Sequence, residues 1–490
     1  MVHRPARLAL GVAVSVIGLF IATASTAPAT YIDLMGFPQL QAELGGSIPT
    51  GAGIPVTQVE APGTAGGSNY FVNPALVNFS GKTITAQSLP ATQSSHANNV
   101  GVNFYGNTAS IAPGLSTISL YNANHWLGTG FLNTGQALAP LTTTSRVVSH
   151  SWVGNDGANT GQELRRLDFT VEEDDLIQVV GLPNAGANDY ALFKDSYNGI
   201  SVGVTNHAHK QTTIAVDAVY TAGRVAPTLV TPGFSYDNSG TATSWATPMV
   251  SAGAALLLQT GQNAALSNGT ITNRTRTINN AEASEVVKAL LMAGADRVID
   301  NPRGSDLLDY AIDTNNNLDS RYGAGQMNIH NSYRILAAGE QDAESSILVR
   351  GWDYNPAFGG AGGSTNVASY FFTPHNDSQT LLTASLVWNL DVEIDSGNQI
   401  ITTLFRNLDL LLYDIDTQTV VASSVSTNQN TENLWNTPML VGHDYALIVI
   451  NFGVAYQWDY ALAWQIIPEP ATGLATFAFA MLLLPRRRRS

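Results

Sequence analysis

The sequence of 490 residues contains no cysteine, which excludes a disulfide framework and any thiolate metal site. It is also poor in charge: only 12% of residues are charged, and 22 basic residues face 37 acidic ones for a formal charge of −15. No basic stripe appears between residues 30 and 480. Phosphate binding needs clustered Lys and Arg, so nucleic acid is excluded as a partner. No internal repeat of 20–50 residues is visible between residues 30 and 467, which argues against a solenoid or propeller. What is present is a globular composition, 44% hydrophobic with 44 Gly and 21 Pro. At this length it predicts two or three domains that bury cores without cross-links.

The two ends read as address labels. Residues 1–29 carry Arg4 and Arg7, then the apolar run Leu8–Ala22, then small residues at Ala22-Thr23-Ala24 and Ala27-Pro28-Ala29. That order predicts a secretory signal peptide cleaved after Ala29 or Ala24. The run is short of the about 20 residues a spanning helix needs, which disfavours a permanent anchor. Residues 468–490 read Pro468-Glu469-Pro470, an apolar stretch Ala471–Pro485, and Arg486–Arg489. This tail resembles the PEP-CTERM sorting signal of Gram-negative bacteria. The resemblance implies an exosortase-type processing enzyme as partner, transient membrane insertion of the tail, and a body exported to the cell surface or medium. The terminal arginines would stay cytoplasmic; a simple C-terminal anchor is the alternative. Residues 1–29 and 471–490 carry arginine and no acid, so the mature body is expected to be more acidic than the whole chain.

The body divides at about residue 345. Upstream, residues 30–344, short apolar runs such as Ile54–Val59, Ser116–Leu120 and Gly199–Val204 alternate with helical stretches such as Ala281–Ala293. That alternation predicts an α/β domain with a mainly parallel sheet. Downstream, residues 345–467, the segments Leu381–Trp388, Leu408–Tyr413, Thr419–Ser424, Asp444–Ile450 and Asp459–Gln465 are separated by Gly, Asn, Asp and Ser clusters. They predict an antiparallel β-sandwich or jelly roll. The Gly-rich stretch Phe358–Thr365 is either a linker or the first loop.

The most informative segment is Thr241-Ala242-Thr243-Ser244-Trp245-Ala246-Thr247-Pro248-Met249-Val250-Ser251-Ala252-Gly253, a polar approach turning into an apolar helix that runs to about Gln259. Ser244 stands where an N-cap is expected, beside backbone N–H groups able to hold an oxyanion. Thr243-Ser244-x-Ala246-Thr247-Pro248-x-Val250-Ser251-x-Gly253 resembles the nucleophile motif of subtilisin-like serine proteases. Ala242 stands where that family usually has Gly, and its methyl is expected to crowd the turn.

The resemblance implies a triad in the order acid, His, Ser, and it extends upstream. Ser95-His96-Ala97-Asn98-Asn99-Val100, with Ala112-Pro113-Gly114 following, resembles the catalytic-His region and makes His96 the candidate base. Its flanking Ala97, Asn98 and Asn99 depart from the family's Gly, Thr and His. Gly53-Ile54-Pro55-Val56-Thr57-Gln58-Val59-Glu60 aligns with the strand that ends in the family's Asp, so Glu60 becomes the candidate orienting acid. Val179-Val180-Gly181-Leu182-Pro183-Asn184 resembles the oxyanion loop and makes Asn184 the candidate side-chain donor. Val147–Trp152 falls where the family has its substrate-lining strand, with His150 expected to pack rather than react. The likeness covers about residues 45–340 and closes on Tyr322-Gly323-Ala324-Gly325, similar to a Gly-x-Gly segment before the last helix.

Remaining signals carry less. His207-Ala208-His209 lacks a carboxylate at helical spacing for a metal site. Asp313–Asp319 has alternating oxygen ligands but lacks the Gly and the closing Glu of an EF-hand loop, so a solvated loop is expected. No cofactor is required, and a structural calcium ion is left open. The expected fold is a subtilisin-like three-layer α/β domain followed by a β-sandwich. The expected activity is hydrolysis of a protein or peptide substrate through an acyl-enzyme. A catalytically inactive surface protein on the same fold is the alternative. Only about 20 residues separate the signal peptide from the first domain, too few for a pro-domain.

Overall fold

The computed structural model describes residues 32–467, apart from 65, 237–239, 298–306, 308, 361–364, 377–379, 396–399 and 452–455. The signal-peptide and sorting-tail segments lie outside the described residues. Among the described residues, no helix is long and apolar enough to cross a membrane.

Seven strands form the first sheet: β1 (Val56–Glu60), β2 (Thr83–Ala86), β3 (Thr117–Asn122), β4 (Val147–His150), β5 (Ile177–Gly181), β6 (Ile200–Val204) and β7 (Leu229–Thr231). Their spatial order is β2-β3-β1-β4-β5-β6-β7, and every neighbouring pair is parallel. Strands β1, β4, β5, β6 and β7 are buried along their whole length, as a sheet covered by helices on both faces requires. The chain leaves β1 on one side and returns on the other, so the ends of β1 and β4 open a crevice at the carboxyl edge. Open α/β sheets bind ligands at such switch points.

The helices in chain order are α1 (Phe37–Leu44), α2 (Ser95–Tyr105), α3 (Thr160–Asp174), α4 (Thr243–Gly261), α5 (Ser284–Ala293) and α6 (Ile329–Ala337). Helix α4 is apolar all round and runs through the core, where its small residues allow close approach. A Cβ at Gly253, for instance, would press on Met327 Sδ. The Gly-x-Gly segment has a backbone reason. Gly323 holds φ +58°, and a Cβ there would land on the Pro227 and Thr228 carbonyl oxygens. We expect Gly323→Ala to destabilise by about 2 kcal/mol or more, measured by urea denaturation.

The second unit is a β-sandwich. One sheet runs β8 (Arg350–Phe358), β15 (Trp458–Ile467), β10 (Leu381–Val387), β13 (Thr431–Pro438), and all its neighbours are antiparallel. The other contains Ser345–Ser346, β9 (Val367–Phe372), β14 (Tyr445–Ile450), β11 (Asp409–Asp414) and β12 (Thr419–Ser424). The Gly-rich stretch begins on the last residue of β8 and precedes β9; residues 361–364 of it lie outside the described residues.

The two units share one core. Helix α5 packs against β15 and β10, and Trp352, Tyr354, Val387, Ala461 and Ala463 join the hydrophobic cluster that holds the α/β core. Polar groups seal the seam. Asn198 Nδ2 donates to the Leu390 carbonyl and its Oδ1 accepts the Leu390 N–H at 2.6 Å. The Asp313–Asp319 segment corrects an expectation here. Asn316 Nδ2 donates to Thr431 Oγ1 at 2.9 Å and Asn317 Nδ2 to the Ser423 carbonyl at 2.7 Å. Asn316 and Asp319 are fully buried. The segment is a strut between units, not a solvated loop.

Candidate active site

Glu60 is the last residue of β1 and only 1% exposed. His96 is the second residue of α2, whose N-cap Ser94 accepts from the Ala97 N–H. The two side chains meet: His96 Nδ1 lies 2.7 Å from Glu60 Oε2. Burial works against the imidazolium, but the Glu60 charge and hydrogen bond outweigh it and raise the His96 pKa above its ordinary value. The other Glu60 oxygen accepts from Gln58 Nε2 at 2.8 Å, while Gln58 Oε1 accepts from the Tyr105 hydroxyl at 2.6 Å. Burial drives the Tyr105 pKa far up, so the phenol stays a donor. Gln58 thus holds the carboxylate in place. Its position two residues before Glu60, on the same face of the strand, was the only sequence signal for it.

Ser244 is the second residue of α4, not its N-cap. The cap is Ala242, in an extended conformation (φ −157°, ψ 157°) with no capping side chain. An extended backbone suits Ala as well as Gly, so the expected crowding of this turn does not arise. Pro248 is the sixth helical residue, beyond the first turn. It removes the amide that would otherwise bond the Ser244 carbonyl. Thr247 Oγ1 donates to the Thr243 carbonyl at 2.8 Å in the same turn.

Ser244 Oγ donates to the Ser151 carbonyl at 3.5 Å, the long limit of a hydrogen bond. Among the described residues, no hydrogen bond joins it to His96. The neighbouring Trp245 ring stands 5.1 Å from the His96 ring, and Asn103 on α2 ties the two helices together by donating to the Trp245 carbonyl. Asn184 follows β5 and is exposed. Its Oδ1 accepts from the Thr243 N–H at 3.1 Å and from the Thr243 hydroxyl at 3.3 Å, which satisfies the first free amide of α4. The fold therefore brings Glu60 and His96 into contact and sets Asn184 at the start of the helix that carries Ser244.

The flanking departures are absorbed. Ala97 is buried, and its carbonyl accepts from Gln58 Nε2 at 3.0 Å. Asn98 Oδ1 accepts the Asn73 N–H at 2.6 Å.

Residues 86–325 match the model of the Subtilase family. Over that span the chain is similar to subtilases. The matched span contains His96, Asn184 and Ser244, and it begins downstream of Glu60. No curated protein matches the sequence. The fold is similar to the patellamide maturation protease PatA, at 17% identity over 59% of this chain and 98% of that one, with a TM-score of 0.39. It is also similar to fervidolysin from Fervidobacterium pennivorans, a keratinolytic enzyme related to subtilisin, at 13% identity over 89% and 80% of the chains and a TM-score of 0.36. The Aeromonas sobria serine protease, solved with its chaperone, gives 11% identity over 85% and 88% and a TM-score of 0.34. Identity this low carries none of those activities over.

Two other histidines of the α/β unit, His150 and His209, have structural tasks. His150 is buried, with Nε2 2.8 Å from Gln178 Oε1, and desolvation lowers its pKa to about 4. His209 Nδ1 accepts the Val204 N–H and its Nε2 lies 3.0 Å from the Arg321 carbonyl oxygen, so it offers nothing to a metal. The sequence also contains a Gly-x-Ser-x-Gly pattern at Gly199–Gly203, which in another hydrolase fold marks the nucleophile elbow. Ser201 lies inside β6 and hydrogen-bonds Thr228, so no elbow exists there. For cations, Asp313 accepts from the Ser320 N–H and hydroxyl, and Asp319 accepts from Ala311 and Arg321. In the sandwich, Asp414, Asp416 and His443 bring ligand atoms within 4.8 Å of one another. There, His443 Nδ1 already meets Asp414 Oδ2 at 2.9 Å, and Asp416 accepts the Asp444 N–H.

Proposed function

We propose that the protein is a secreted, surface-sorted serine endopeptidase. Ser244 attacks the scissile carbonyl. His96 Nε2 takes its proton and passes it to the leaving amine, while Glu60 holds the ring in the tautomer that leaves Nε2 free to accept. The Ser244 N–H and Asn184 Nδ2 receive the developing oxyanion. The observation that carries this reading is the 2.7 Å contact between a buried Glu60 carboxylate and His96 Nδ1, since a buried carboxylate stabilises the imidazolium that forms in the transition state. The longer acid is accommodated because Gln58 fixes its second oxygen.

Secretion and sorting rest on the sequence of the two ends, and an exosortase-type enzyme is the processing partner they call for. A peptide or protein is the substrate.

One observation favours a binding protein on the same fold: Ser244 Oγ faces the Ser151 carbonyl rather than His96. Catalytic hydrogen bonds of this kind often tighten only when substrate binds. Hydrolysis of casein by the purified protein separates the two. The peptidase reading expects Ser244→Ala to lose activity on the order of 10⁶-fold. Equal rates for both proteins would reject it.

A further inference from the structure

A cavity of about 350 Å³ opens just beyond the carboxyl ends of β1 and β4, within the size range of ligand pockets. Its wall includes Ala61, the residue after Glu60, and Trp152, Val153 and Gly154, the residues after Ser151. Both chain segments that touch the catalytic groups therefore continue directly into it. Its charged groups are Asp156 and Glu163, beside the polar Asn124, Thr134, Asn155 and Asn159. Glu163 sits in the first turn of α3 and is 1% exposed, with Oε2 buried and lacking any hydrogen-bond partner. Asp156 is exposed at the rim.

We propose that this cavity is a substrate subsite for a lysine or arginine side chain, selected by Glu163 at its floor and Asp156 at its rim. The inference rests on the peptidase reading and names the class of substrate. The alternative occupants of such a wall, aliphatic side chains, gain nothing from a buried carboxylate and leave it unpaired, which is costly. Among the described residues no cation stands against Glu163. Burial, followed by the Asp156 charge and hydrogen bond, pushes its pKa up to about 8. Glu163 is therefore largely protonated near neutral pH while no cation is present. An ammonium or guanidinium entering between the two acids supplies the missing donors and the missing charge together.

The test uses the full chain and peptide pairs that differ only in arginine against citrulline, scanned across the positions flanking the scissile bond. Two quantities are read: hydrolysis by the wild type, and calorimetric binding to the Ser244→Ala protein. At one position arginine should be favoured about tenfold or more, the discrimination a charge-assisted hydrogen bond supplies. Glu163→Gln should abolish that preference. Asp156→Asn, at an exposed site that does not threaten folding, should reduce it. No arginine preference at any position, or a preference that survives both variants, overturns the inference. If the wild type fails to hydrolyse any peptide while the Ser244→Ala protein still prefers arginine through Glu163, the peptidase reading falls and the subsite stands.

Discussion

Replacing Glu60 by Gln is expected to lower kcat by about 10⁴-fold with little change in KM. The size follows from the donor and acceptor count. The Glu60 carboxylate accepts on both oxygens, from Gln58 Nε2 and from His96 Nδ1. An amide accepts on one. Gln58 is itself anchored by Tyr105 and by the Ala97 carbonyl, so it keeps its donor and claims that single oxygen. The amide NH₂ then faces His96 Nδ1 and drives the ring proton to Nε2, the tautomer unable to receive the serine proton. The pH profile supplies an independent readout. Because Glu60 raises the His96 pKa, wild-type activity should fall with decreasing pH along a limb centred above the usual histidine value of about 6.5. Removing the carboxylate should move that limb to lower pH. A variant with wild-type kcat would remove Glu60 from the mechanism.

The second large effect concerns the join between the units. Trp352 is 1% exposed, belongs to the shared hydrophobic cluster, and donates Nε1 to the Leu336 carbonyl at 3.1 Å. Trp352→Ala should destabilise the protein by about 3–5 kcal/mol, the cost of emptying a large core site. That is a large fraction of ordinary domain stability. The loss should appear in both units at once: urea transitions followed by peptidase activity and by tryptophan fluorescence should shift together. Activity that persists while the sandwich unfolds would show that the units are independent and would contradict a common core.

Much of this architecture was legible in the sequence where burial is apolar. The run Ile54–Val59 foretold β1, and Thr419–Ser424 matches β12 residue for residue. Apolar α4 announced itself as a core helix. Elements whose interiors are polar escaped. β13 reads Thr-Glu-Asn-Leu-Trp-Asn-Thr-Pro, with no clear alternation, because its buried Glu432 and Asn433 are satisfied by Ser424, Ser426 and Asn316 from elsewhere in the chain. Helix α3 reads as a charged surface helix. Its Arg166 and Asp168 are nonetheless buried, because Arg166 donates to the Leu132, Gln136 and Leu138 carbonyls and Asp168 accepts from Tyr197, Asn198 and Tyr220. No local pattern announces partners that only the fold brings to the helix.

The candidate site shows the same division. Motif residues identified Glu60, His96, Asn184 and Ser244, because a short spacing fixes local geometry around each. Gln58 and Glu163 were invisible to motif reading, since their roles depend on which groups the fold sets opposite them. The Asp313–Asp319 segment was misread for that reason as well: its Asn side chains look solvated until the sandwich supplies their acceptors.

The most direct test of the central claim is covalent labelling of the purified protein with a fluorophosphonate, followed by mass spectrometry. The account predicts a single adduct on Ser244, formed more slowly as pH falls below the His96 pKa and absent from the Ser244→Ala and His96→Ala proteins. Folded wild-type protein that forms no adduct at Ser244 would contradict it.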